Sequence, residues 1–104
     1  MNPTIIQTTC SSRDEAKNIA KILIQEKLAA CVQLSEIESF YRWNNEFCSD
    51  NETLLNIKTI KENFEKVKRK IKELHSYDVP EIIQIDITNA NEEYLKFMGD
   101  NINE

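Results

Sequence analysis

The segment HSYDVPEI, residues 75–82, holds the only histidine of the chain and one of its two prolines. Val79 precedes Pro80, and a residue before proline is pushed towards extended backbone, so a helix cannot continue through this position. The segment therefore predicts a helix that ends near His75 and a strand that begins near Glu81. Polar side chains concentrate in this connection, and loops held between rigid elements commonly carry function.

A helix precedes this connection, and a strand with a further helix follows it. Thr59 and Glu62 fit a capping box at the start of the preceding helix. Its apolar stripe is formed by Phe64, Val67, Ile71 and Leu74. The following strand is expected over residues 82–87, and Asn91 is expected to cap a last short helix that ends at Gly99.

The N-terminal half begins with a strand and a helix. Residues 4–10 are rich in β-branched side chains, which favours a strand. Ser12 and Glu15 fit a second capping box, and apolar residues at helical spacing extend the helix to about Lys27.

A long hairpin follows. An apolar run over residues 28–32 leads into the second strand, residues 34–43 alternate without a breaker, and Asn44-Asn45 forms the turn because asparagine tolerates positive φ. Residues 46–59 return as the third strand, with an irregularity or bulge expected over residues 48–51.

These elements predict one domain over residues 1–104, of the α+β class: a ferredoxin-like βαββαβ sandwich with an extended hairpin between its second and third strands and a short C-terminal helix. Right-handed crossovers place both main helices on one face of the sheet. Ile5 with Ile6, and Ile82 with Ile83, are adjacent pairs that point to opposite faces. An uncovered apolar face usually meets another chain, so we expect an oligomer.

Composition excludes several classes of protein. A net charge of -5 argues against nucleic-acid binding, which needs clustered positive charge. No apolar run is long enough for a membrane span, and residues 1–20 lack the pattern of a signal peptide, so we expect no membrane association and a cytoplasmic location. Three cysteines without a CxxC pair form neither a disulfide framework nor a zinc ribbon.

Topology places Cys10 and the segment from His75 to Glu81 at the same end of the sheet, on neighbouring strands. Thiol, imidazole and carboxylate together suit copper or zinc. Alternatives remain for each residue: a cap for His75, burial for Cys10, a solvated strand start for Glu81. A Cys10–His75 pair can also support nucleophilic chemistry, but no orienting residue or oxyanion site is identifiable, and we do not expect an enzyme.

Tyr41-Arg42-Trp43 at the tip of the hairpin is the other unusual cluster. Such residues dominate binding hot spots, whereas the alternative is ordinary cross-strand packing. A hairpin of this length cannot bury its tip on so small a domain, which favours docking on a neighbouring subunit.

Several motifs together resemble the divalent-cation tolerance family, CutA. They are KLAACV at residues 27–32, YRW at 41–43, HSYDVPEI at 75–82 and Tyr94-Leu95. The resemblance runs in order from about Thr4 to Met98. It implies a cytoplasmic homotrimer, related in assembly to PII-type signalling proteins, whose hairpins extend to neighbouring subunits.

The resemblance also implies tolerance of copper and other divalent metals, with copper-binding positions that match Cys10, His75 and Glu81. This chain departs from the family pattern in its Asn44-Asn45 turn, in Ser35-Glu36 before the long strand, and in Ser76 where proline is common. None of these departures removes a predicted ligand.

Three hypotheses follow. The first is a trimeric divalent-cation binding protein, chiefly for copper, with zinc or another divalent cation as the substitute. The second is a PII-like signalling or scaffold trimer that binds a small ligand or a partner protein at clefts between subunits, lined by Tyr41, Arg42, Trp43 and Tyr77. The third is a small hydrolase that uses Cys10.

Overall fold

The computed structural model describes residues 1–103 as a sheet of four antiparallel strands with three helices. The strands are β1 (Pro3–Cys10), β2 (Cys31–Trp43), β3 (Glu46–Ile60) and β4 (Ile83–Asp86); the helices are α1 (Arg13–Gln25), α2 (Phe64–Leu74) and α3 (Glu92–Asn101). Their order along the chain and the strand order β2-β3-β1-β4 confirm the predicted α+β, ferredoxin-like arrangement.

The core lies between one face of the sheet and helices α1 and α2. Side chains alternate across a strand, and the buried Ile6 of β1 and Ile57 of β3 both point towards the helices. The helices contribute Ala16, Ile19, Leu23, Val67 and Ile71, all fully buried. This burial fixes α1 and α2 on one face of the sheet. On the opposite face Ile60 packs against Met98 and Tyr94 of α3, and the rest of that face is open.

The hairpin of β2 and β3 has an uninterrupted register, from Cys31 opposite Lys58 to Trp43 opposite Glu46. The bulge expected over residues 48–51 is therefore wrong. Asn44 and Asn45 have φ values of 51° and 64°, the backbone of a two-residue hairpin turn that matches the strand twist. With strands of 13 and 15 residues, this hairpin makes the molecule elongated, at 45 × 25 × 21 Å.

The two predicted capping boxes behave differently. Ser12 caps α1 by accepting a hydrogen bond from the Glu15 backbone N–H at 3.1 Å. Thr59 does not cap α2: it is buried, and its hydroxyl donates to the Leu28 carbonyl at 2.6 Å. Because Thr59 is still part of β3, the chain passes through one 3-10 turn, Lys61–Asn63, before α2 begins.

Helix α3 continues through Gly99 to Asn101, so the predicted end at Gly99 is wrong. Asn91 occupies the N-cap position, but its side chain makes no capping hydrogen bond. The chain after α3 is anchored at Asn103, whose N–H donates to the Lys27 carbonyl and whose carbonyl accepts from the buried Asn63 side chain.

The open face of the sheet carries apolar side chains in neighbouring strands. Ile5 of β1 lies opposite Ile85 of β4, and Ile83 and Ile85 are 45% and 44% exposed. Ile82, in contrast, packs against the core. The expectation that both faces are partly apolar is confirmed. Within residues 1–103, no helix has the length and apolarity needed to cross a membrane.

Candidate functional site

The end of β1 and the end of α2 meet beside the first turn of α1. Cys10 is the last residue of β1, and His75 directly follows α2 in extended backbone, as the segment HSYDVPEI predicts. The Cys10 Sγ lies 3.8 Å from the His75 Nε2. A ligand atom of Glu15 completes the group, and the three atoms lie within 4.8 Å of one another.

His75 is held by backbone groups on both sides of its ring. Nδ1 accepts a hydrogen bond from the Tyr77 N–H at 3.1 Å, so Nε2 carries the ring proton and donates it to the Thr9 carbonyl at 2.7 Å. A metal ion bound at Nε2 would displace this proton and its hydrogen bond to Thr9. The ring proton would then lie on Nδ1, opposite the Tyr77 N–H, so the connection after His75 would have to adjust. In this arrangement His75 ties β1 to the end of α2.

Glu15 lies between the connection after α2 and the Cys10 thiol. Oε2 accepts from the Ser76 N–H at 3.1 Å, whereas Oε1 is buried without an N–H or O–H donor within the described residues. The Cys10 thiol lies beside this carboxylate, and a side-chain hydrogen bond between the two contributes to the raised pKa of the thiol.

Cys10 is fully buried, and burial raises the pKa of its thiol to about 12, with the negative charges of Glu15 and Glu52 acting in the same direction. The thiol is therefore neutral at physiological pH. A catalytic cysteine needs a thiolate, so this environment argues against the hydrolase hypothesis. A metal ion at Cys10 must displace the thiol proton.

The group suits a borderline transition metal. Zinc binds sulfur at about 2.3 Å and imidazole nitrogen at about 2.0–2.1 Å, so two such ligands on one tetrahedral ion lie roughly 3.5 Å apart. The distance of 3.8 Å between Cys10 and His75 is close to this value. Thiol, imidazole and carboxylate are also the donor types that zinc and copper accept.

Glu81 lies outside this group, in the wall of a cavity on the open face of the sheet. The cavity has a volume of about 570 Å³. Its lining comprises Thr9, Ser39, Phe40, Tyr41, Trp43, Glu52, Tyr77, Asp78, Val79 and Glu81. The role of Glu81 as a metal ligand stays a prediction.

Three of the four predicted cleft residues meet in this cavity. Tyr41 and Trp43 are two residues apart on β2 and therefore share one face of the sheet. Arg42, between them, points to the other face and is not part of the lining. The Tyr77 hydroxyl donates to Glu52 at 2.8 Å, and the Tyr41 hydroxyl donates to Asp50. That hydrogen bond to Asp50 raises the pKa of Tyr41 to about 12.

Sequence reasoning missed Glu15 and Glu52. The sequence pattern assigned Glu15 to a capping box with Ser12, and it gave no indication that the carboxylate lies beside Cys10 at the end of β1. Glu52 was detectable, because an uninterrupted register after a two-residue turn places it opposite Ile37, on the face that also carries Tyr41.

Comparison with known proteins gives a consistent result along nearly the whole chain. The sequence model of a family described as CutA1 divalent ion tolerance protein matches residues 4–101. The divalent-cation tolerance protein CutA of Thermus thermophilus is 42% identical over 98 residues, which are 93% of this chain and 95% of that protein.

Solved structures agree with these matches. The structure of CutA1 from Oryza sativa has a TM-score of 0.97 at 34% identity and covers 100% of this chain and 96% of its own. The periplasmic divalent cation tolerance protein CutA from Archaeoglobus fulgidus has a TM-score of 0.95 at 35% identity, covering 97% of this chain and 99% of its own. Sequence and fold together show that the chain belongs to the CutA1 divalent ion tolerance family.

Proposed function

We propose that this protein contributes to tolerance of divalent cations by binding copper, or zinc in its place, at Cys10, His75 and a carboxylate. The observation that carries the proposal is the group of three ligand atoms within 4.8 Å, one from each of Cys10, Glu15 and His75. The position of Glu15 within this group, with Glu81 in the cavity wall instead, supports Glu15 as the carboxylate in preference to Glu81.

Metal titration of matched variants tests this site. We expect Cys10→Ser and Glu15→Gln to weaken the binding of Co²⁺ or Zn²⁺ by about tenfold to 100-fold, because each removes a charged ligand. Glu81→Gln should bind as the unchanged protein does. Isothermal titration gives the affinities, and the sulfur-to-cobalt charge-transfer absorption of the Co²⁺ complex reports whether Cys10 is a ligand.

Two results would contradict the assignment. Equal metal affinity in all variants would show that these residues do not bind the metal. A loss of affinity confined to Glu81→Gln would show that Glu81, and not Glu15, is the carboxylate ligand. Circular dichroism of each variant verifies that the fold is retained. Anaerobic Cu²⁺ titration of the same variants then compares copper with zinc.

We also propose that three copies assemble through the open face of the sheet. The exposed Ile83 and Ile85 support this, because apolar side chains in neighbouring strands favour burial against another chain. The elongated hairpin supports it as well, since Phe47 near its tip is 72% exposed in the single chain.

Replacing Ile85 by Asp is expected to convert the trimer to monomers, because a charge would have to be buried in the interface. Ile24→Asp is the matched control: Ile24 has a similar exposure of 41%, but it lies on α1, away from the open face. Size-exclusion chromatography with light scattering measures the mass of both. A trimer in Ile85→Asp, or a monomer in the unchanged protein, would exclude assembly through this face.

A second candidate function is PII-like signalling, in which clefts between subunits bind a small ligand or a partner protein. The cavity that holds Tyr41, Trp43 and Tyr77 favours this candidate, because its volume lies within the range of small-molecule sites. Cation tolerance would then be an indirect consequence of ligand binding.

We propose a cytoplasmic location on chemical grounds. Cys10, Cys31 and Cys48 are all free thiols, and unpaired cysteines persist in a reducing compartment. The negative net charge of -5 supports the absence of a nucleic-acid partner.

A further inference from the structure

The connection after α2 joins the two sides of the sheet across the end of β1. His75 lies beside Cys10, which is buried in the core between the sheet and the helices. Tyr77 reaches the opposite side, where its hydroxyl donates to Glu52 at 2.8 Å in the wall of the cavity on the open face. Only Ser76 separates the two residues. A very short segment therefore links the proposed metal site to the open face.

The backbone N–H groups of this segment all have partners. The His75 N–H donates to the Ile71 carbonyl at the end of α2. The Ser76 N–H donates to Glu15 at 3.1 Å. The Tyr77 N–H donates to the His75 Nδ1 at 3.1 Å, and the centroids of these two rings lie 4.8 Å apart. Two of these partners, Glu15 and His75, are the side chains proposed as metal ligands, so the same groups that hold the segment would bind the metal.

A metal ion at His75 deprives the Tyr77 N–H of its acceptor, whichever ring nitrogen the metal uses. At Nδ1 it would occupy the lone pair that accepts this N–H. At Nε2, the nitrogen next to Cys10, it would leave the ring proton on Nδ1, so that two donors face each other. Both arrangements are unfavourable, because a donor loses its hydrogen bond. The segment has to move, and the Tyr77 side chain moves with it.

Tyr77 also belongs to the face through which we propose that copies of this chain assemble. It shares the cavity wall with Tyr41 and Trp43 of the hairpin, and with Val79, which is 68% exposed in the single chain. Apolar side chains grouped on such a face favour burial against another chain. A second copy that packs on this wall would hold Tyr77 where the metal-free segment places it.

We propose that Tyr77 couples the metal site to the assembly in opposition: metal binding at His75 weakens the contact between copies, and the docking of a neighbouring copy weakens metal binding. This inference rests on the proposed metal site and the proposed trimer, and it describes how that site is regulated. Coupling between two sites is reciprocal, so each bound metal loosens the contact by the factor by which the contact lowers metal affinity. Assembly would thus set the metal concentration at which the site fills.

Zinc titration of the trimer and of a monomeric variant measures this coupling. We expect Ile85→Asp to bind Zn²⁺ about tenfold more tightly per chain than the unchanged protein, because Tyr77 can move there without displacing a neighbour. Ile24→Asp, on α1 and away from the open face, should stay assembled and bind with unchanged affinity. Isothermal titration gives the affinities, and light scattering at the same concentrations gives the masses.

Tyr77→Ala distinguishes coupling from a merely structural role. The variant keeps the N–H that bonds to His75 and loses the side chain that a neighbour would contact. Its trimer should therefore bind Zn²⁺ nearly as tightly as the Ile85→Asp monomer, and adding Tyr77→Ala to Ile85→Asp should change nothing further. Tyr94→Ala removes a similarly half-buried tyrosine from α3, outside the cavity lining, and should leave zinc affinity unchanged. In the unchanged trimer, zinc should also accelerate hydrogen exchange of the Tyr77 N–H.

The contrary results are distinguishable. Equal zinc affinity in trimer and monomer, with binding still weakened by Cys10→Ser, would contradict the coupling but retain the metal site. Tighter binding by the trimer, or weaker binding by Tyr77→Ala, would show that Tyr77 only holds His75 in place. A trimer in Ile85→Asp would exclude assembly through this face, and the coupling with it. The absence of zinc binding in every variant would exclude both the metal site and the coupling.

Discussion

Native Cys10 is expected to react with iodoacetamide at pH 8 at least about 100-fold more slowly than the same cysteine in the urea-unfolded chain. Only the thiolate attacks, and the native thiol has a pKa of about 12 and no exposed surface. A variant with Cys31→Ser and Cys48→Ser leaves Cys10 as the one reactive thiol. Mass spectrometry of timed samples gives both rates.

The pH dependence of this reaction separates ionisation from access. The native rate should rise about tenfold per pH unit up to about pH 11, whereas the unfolded rate should level off near the ordinary pKa of this thiol, 9.0. If the native and unfolded chains react with iodoacetamide at rates within a few-fold of each other at pH 8, Cys10 is not buried and the pKa of its thiol is not raised.

The same pKa shift determines how stability depends on pH. The pKa of Cys10 rises from its ordinary 9.0 to about 12 on folding, so the unfolded chain loses this proton first. The stabilising contribution is fully present below about pH 9 and is lost as the pH rises towards 12. Unfolding free energies measured across that window should fall less steeply in Cys10→Ala than in the unchanged protein.

Ile19→Ala is expected to lower the unfolding free energy by about 2–5 kcal/mol, because it leaves a cavity in a fully buried part of the core. Ile24→Ala is the control in the same helix: it removes the same atoms from a side chain that is 41% exposed. Both replace isoleucine by alanine within α1, so the difference between them chiefly measures burial. Urea unfolding at equal protomer concentration gives both values.

A difference below about 1 kcal/mol between the two variants would contradict the described orientation of α1. Size-exclusion chromatography of both controls for assembly, since a change of oligomeric state would alter the apparent stability independently of the core.

The fold was predictable from sequence wherever the spacing of apolar residues agrees with residues that end a helix or form a turn. Val79-Pro80 located the end of α2, and Asn44-Asn45 located the hairpin turn, because proline and positive φ impose local geometry. Thr59 shows where this reasoning fails. It fits a capping box, but its buried hydroxyl bonds to Leu28, far along the chain, so tertiary structure decides its role.

The candidate site was predictable only in part for a similar reason. Topology brought Cys10 and His75 to one end of the sheet, and the structure places them 3.8 Å apart. Topology gives the end of an element but no side-chain direction. Glu15 and Glu81 are both near that end, and only the packing of α1 against β1 distinguishes the carboxylate beside the thiol from the one in the cavity.

The uninterrupted hairpin has a consequence for the order in which the chain folds. Its strands are joined by two residues, so their pairing closes only short loops and proceeds rapidly. The pairing of β1 with β4, in contrast, joins Thr4 to Asp86 and must close almost the whole chain. We therefore infer that the hairpin forms early and that β4 docks last, which makes the edge that carries Ile83 and Ile85 the last to form and the first to open.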